Sequence, residues 1–158
     1  MQNFTISGLP LEPFQSLFGR SEADLAYVGA IRCVADAVPG FPCRVTLEDA
    51  GPGERVLLLN FVHQQAETPY RSAHAIFVRE NARRTAVFEN EVPAALRARP
   101  LSVRSFDAAG MMLDADLIDG AHVETIIERL FADDAAAYLH AHYAKRGCYA
   151  ARIDRAGR

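Results

Sequence analysis

Apolar and polar positions along this chain follow two periods, and the switch between them divides it. Up to about residue 119, apolar residues come in short runs bounded by Pro, Gly, Asn and Asp. From Ala121 onward, Val123, Ile126, Ile127, Leu130 and Phe131 fall at the spacing of one helix face, with Glu124, Glu128 and Arg129 opposite. Asp119 is the cap of this helix, which the pattern places at about 121–132. Ser21, with Asp24 three residues on, reads as a capping box that opens a short helix over 21–28, stopped by Gly29.

Strands fill most of the remainder. Asn3 to Leu9 alternates weakly before Pro10 and Pro13 break it. Ile31 to Asp36 and Cys43 to Glu48 read as a hairpin about Ala37-Val38-Pro39-Gly40-Phe41-Pro42. After the Gly51-Pro52-Gly53 turn, Arg55 to His63 is apolar on both faces, the pattern of a central strand. Ala73 to Arg79 follows, with Arg84 to Phe88 as its expected partner, and Pro93 opens a short helix that stops before Pro100. Leu101 to Asp107 and Met111 to Ala115 flank a reverse turn ending in Gly110, and Tyr138 to Tyr143 with Cys148 to Ile153 reads as a closing hairpin. The expected fold is α+β: a mostly antiparallel sheet built of hairpins, the main helix packed on one face, and short N-terminal helices.

Size and charge narrow the classes. A chain of 158 residues, 50% hydrophobic, supports one domain with a full core, so residues 1–158 are read as a single domain. The net charge of −3 mixes both signs and forms no basic stripe, which points away from nucleic acid. No window approaches the roughly 18 continuous apolar residues of a membrane span, and the start has no secretory pattern. Three irregularly spaced cysteines, Cys33, Cys43 and Cys148, form neither a disulfide framework nor a paired zinc motif and read as reduced thiols. A soluble, cytoplasmic protein is expected, with no nucleic-acid or membrane partner.

His140-x-His142 is the sharpest chemical pattern. In a strand, residues two apart point the same way about 6.6 Å apart, a spacing at which two imidazoles can share a divalent metal. Cys148 joins them if the loop between the strands has three residues and faces away if it has two or four. His63, leaving the central strand, can complete the set. The alternative is two polar side chains on a solvated strand face.

Arg44, Tyr70, Arg71 and Arg79 can clamp a carboxylate or phosphate, since guanidinium groups bind such anions bidentately. Alternatively, they make ordinary ion pairs with Glu48, Asp49 and Glu80. Cys148 as a nucleophile would draw on His142 or on Lys145-Arg146, against a structural thiol as the plain reading. Gly51-Pro52-Gly53 lacks the Lys-Ser/Thr ending of a phosphate loop.

Taken together, Pro39-Gly40-Phe41-Pro42-Cys43-Arg44, Tyr70-Arg71, Ile76-Phe77-Val78-Arg79 and Gly147-Cys148 resemble the bacterial domain-of-unknown-function family numbered 1203. The resemblance covers nearly the whole chain and implies no activity, cofactor or catalytic residue. It differs at Tyr143, where the family commonly has asparagine after the second histidine. Three functions are open at this point: a small-molecule or anion-binding module with Arg44, His63, Tyr70 and Arg71 at strand ends; a small metal-dependent enzyme using His140, His142 and Cys148; and a homo-oligomeric interaction protein.

Overall fold

The structure is a computed structural model and describes residues 2–157. Within them the chain runs β1 (Phe4–Ser7), α1 (Glu12–Gln15), α2 (Glu22–Tyr27), β2 (Ile31–Val34), β3 (Arg55–Gln64), β4 (Ser72–Arg79) and β5 (Val87–Glu89). It continues through α3 (Ala94–Arg97), β6 (Pro100–Phe106), β7 (Met112–Asp119), α4 (Val123–Phe131), β8 (Tyr138–Tyr143) and β9 (Tyr149–Arg155). The strands form a six-stranded sheet in the order β5-β1-β9-β8-β6-β7 and a three-stranded sheet β2-β3-β4. Every pairing of named strands is antiparallel, as the α+β expectation requires.

The main helix forms where the period predicts it. Val123, Ile126, Ile127, Leu130 and Phe131 are all buried, and α4 packs on β6 and β7. They share one core with Leu101, Val103, Leu139, Ala141 and Ile153 of the sheet. Asp119 caps a preceding 3₁₀ turn, Gly120–His122, by accepting the Ala121 N–H. The Ser21 hydroxyl accepts the Asp24 N–H at the start of α2, as the capping pattern predicts. No helix of the described residues is long and apolar enough to cross a membrane.

A second core fills the space between the sheets, where Phe14, Cys43, Val45, Ile76 and Val78 meet Tyr149, with Leu59 and Phe61 beside them. This packing corrects two expected pairings. Residues 43–48 form a compact turn instead of a strand: the Cys43 N–H donates to Glu48 O, the Leu47 N–H donates to Cys43 O, and Leu47 has φ 56°. Cys43, Val45 and Leu47 are nonetheless all buried, so their alternation reports burial and not strand geometry. β2 consequently pairs with β3, Ile31 opposite Leu58. The segment expected beside β4 instead supplies β5, which pairs with β1, because the Ala86 N–H donates to Val45 O and its carbonyl accepts from Gly8.

Candidate functional site

Four of the chain's five histidines, His63, His74, His140 and His142, converge between the two sheets. Strand alternation accounts for three of them. On β8, Tyr138, His140 and His142 share the face turned away from α4, while Leu139 and Ala141 enter the α4 core. On β4, His74 lies on the same face as the buried Ile76 and Val78. His63 arrives through an irregularity: Val62 pairs with Ala73 and Gln64 with Ser72, so His63 is the extra residue of a β-bulge. Such a bulge turns both of its residues toward one side. Gln64 donates from Nε2 to Tyr138 Oη at 2.9 Å, and the His63 ring stacks on His74 at 4.8 Å and on Tyr149 at 4.9 Å.

The hydrogen bonds set the tautomers. His142 Nδ1 lies 2.9 Å from Gly147 O, a carbonyl that only accepts, so Nδ1 carries the proton and Nε2 the lone pair. His63 Nε2 lies 3.0 Å from Ser72 Oγ. The Nδ1 atoms of His63, His74 and His140 are buried without any partner. Burial pushes His63 down to about 4, helped by His74 and Arg104. Burial also pushes His140 down to about 3, with His63, His142 and nearby arginines adding to it. His142 is held at about 3 by burial, against the opposing bond to Gly147. His74 is lowered by burial, then by Arg104 and Arg44. At neutral pH His63, His140 and His142 are therefore uncharged, each with one N–H and one lone pair.

The donor nitrogens of His63, His74 and His142 all lie within 4.8 Å of one another. Tetrahedral zinc with bonds of about 2.0–2.1 Å needs its nitrogens about 3.3 Å apart, so each ring closes in by no more than about an ångström. His140 stands behind them, its ring 5.9 Å from His63 and 6.5 Å from His142. Arg104 lies opposite His140 on β6, half-buried, with Ser102 Oγ at 3.4 Å as its side-chain partner. Burial alone lowers this guanidinium, with no carboxylate compensating it.

The other residues singled out in the sequence lie elsewhere. The Tyr143 N–H donates to Cys148 O across the four residues 144–147, which puts the Cys148 thiol beside Tyr143 on the face away from His142. Tyr70 and Arg71 are exposed in the β3–β4 turn, where Arg71 donates to Gln65 O. Arg44 is 2% exposed and lies beside Phe77, from which Arg71 is separated by six residues of strand, about 20 Å. No single clamp therefore contains Arg44, Tyr70 and Arg71. Arg79 makes ordinary ion pairs with Glu54 and Glu48. His74 and Arg104 carried no motif of their own; only the β3–β4 and β6–β8 registers bring them to the cluster.

Fold and cluster together define a class: a small α+β protein with an imidazole cluster enclosed between two antiparallel sheets. Residues 40–155 match the family model described as Protein of unknown function (DUF1203), and the chain belongs to that family. The matched span contains all four clustered histidines as well as Arg44 and Cys148. No curated protein and no solved structure matches the chain.

Proposed function

We propose that this protein is a small metal-dependent enzyme that holds one divalent transition metal on His63, His74 and His142. The observation that carries the reading is the convergence of His63, His74 and His142: the Nδ1 atoms of His63 and His74 are buried without a partner, a costly arrangement unless something coordinates them, and the bond from His142 Nδ1 to Gly147 O leaves Nε2 of that ring with its lone pair. Imidazole donors suit zinc, copper, nickel or iron. Three protein ligands with one position left open is the pattern of a catalytic metal and not a structural one, and the His74 side chain is partly exposed. Gly147 O on His142 and Ser72 Oγ on His63 are the outer partners that orient ligating imidazoles. Arg104, without a carboxylate, is placed to hold an anionic substrate beside the metal, and the reaction class this supports is metal-assisted attack of water. The three free thiols support a reducing, cytoplasmic setting.

The test is elemental analysis of protein purified without a histidine tag and reconstituted separately with zinc, cobalt and nickel. About one ion per chain is expected, with visible cobalt bands of a low-symmetry site. The double variant His74→Ala/His142→Ala should lose at least nine-tenths of the metal while keeping its circular dichroism spectrum. Failure of the wild type to retain any of the three metals, or full retention by the double variant, removes the proposal.

A further inference from the structure

A cavity of about 510 Å³ opens at the end of β8, lined by the Pro39-Gly40-Phe41-Pro42 turn and by the β8–β9 loop. Four of its lining residues, Arg44, Arg99, Lys145 and Arg146, are cationic, and none is acidic. Arg99 is neutralised by Asp49 outside the cavity, but Arg44, Lys145 and Arg146 have no carboxylate within ion-pair distance among the described residues. Lys145 and Arg146 are exposed, where water solvates their charge; Arg44 is 2% exposed and has no such relief.

Arg44 is held rigidly. Nε donates to Tyr149 O at 2.7 Å, Nη1 to Pro42 O, and Nη2 to Cys148 Sγ at 3.1 Å. Those bonds use three of its five N–H donors. Beside it, Tyr143 lines the cavity at 6% exposure, and its hydroxyl is buried with no hydrogen-bond partner. The Arg44 and Arg99 guanidiniums lie over the Tyr143 ring at 4.9 and 5.1 Å from its centre. Phe41 and Phe77, 5.1 Å apart, form an apolar wall. A buried uncompensated cation and an orphaned hydroxyl, both at the wall of an open cationic cavity, are each relieved by the same guest.

We infer that this cavity binds a small organic anion, a carboxylate or phosphate on an apolar body, with the anionic group at Arg44 and Tyr143 Oη beside Cys148 and the apolar body against Phe41 and Phe77. None of the groups assigned to the anion is a metal ligand, and Tyr143 and Cys148 lie on the opposite face from His142, so loss of metal binding leaves this inference standing.

Alkylation of Cys148 reads the site directly. In a Cys33→Ser background the remaining thiol, Cys43, is fully buried, so modification reports on Cys148. Relative to free glutathione, Cys148 should prefer anionic iodoacetate over neutral iodoacetamide by about tenfold, and Lys145→Ala/Arg146→Ala should reduce that preference. Benzoate or phenyl phosphate should protect Cys148 saturably, beyond sodium chloride at equal ionic strength. Whichever protects at lower concentration assigns the anion class. Tyr143→Phe, which leaves the packing intact, should weaken protection about three- to tenfold through loss of one hydrogen bond. Absence of the iodoacetate preference together with protection no better than chloride overturns the inference, as does undiminished protection in Tyr143→Phe.

Discussion

Gly147 serves two purposes in the last hairpin. Its φ of 76° lies where an L side chain is strained, and that conformation lets its N–H reach Tyr143 O while its carbonyl receives His142 Nδ1–H. Gly147→Ala is therefore expected to cost about 1–2 kcal/mol in a urea titration and to weaken zinc retention as the orienting bond to His142 is lost. Gly120 is constrained differently: a β-carbon there would collide with the carbonyl oxygens of Leu96 and Arg99. At this scale the sequence is only partly legible. His140-x-His142 announces itself, because strand alternation puts both rings on one side. His74 is a solitary histidine in an apolar run, and Tyr143 looks like an ordinary core aromatic. Their roles come from what faces them, and one residue's neighbours in sequence do not report that.

Elements sort into those whose pattern is local and those whose partners are distant. α4 belongs to the first kind, since a five-residue apolar face and flanking charges are visible in nine positions of sequence. Its packing lies on the far face of the six-stranded sheet from the histidines, so Ile127→Ala, removing a side chain 1% exposed, should destabilise by about 2–5 kcal/mol by chemical denaturation yet leave metal content unchanged. A parallel loss of metal at temperatures where the variant stays folded would show that the two faces are coupled. The segment 43–48 belongs to the second kind. Its alternating Cys43, Val45 and Leu47 look like a strand, but neighbouring prolines remove ladder donors and the three side chains reach the core from a turn. The bulge at His63 is equally silent in sequence, because an extra residue is defined only by the strand it opposes.

For the whole molecule, enclosing unprotonated imidazoles between two sheets makes stability depend on pH. His63, His140 and His142 are held at about 4, 3 and 3, against 6.5 for an ordinary histidine. Between those values the unfolded chain binds more protons than the folded one, so the unfolding free energy rises with pH across this window and falls as the solution is acidified from about 6.5. Each such histidine adds up to ~1.4 kcal/mol per pH unit. Urea midpoints of chelator-treated protein at pH 7, 5 and 4 should decrease in that order, and more shallowly in His140→Gln; a flat profile would show that the cluster opens to water. The α+β class, the α4 face, the hairpins about Gly110 and Gly147, and the His140-x-His142 pair are legible along the chain, because each depends on periodicity or turn chemistry within a few residues. Tertiary structure alone decided that β2 joins β3, that His63 and His74 complete the imidazole cluster, and that Arg44, Tyr143 and Cys148 enclose a separate cavity. These depend on contacts between residues tens of positions apart, whose geometry is set by the packing of the two sheets and not by any local pattern.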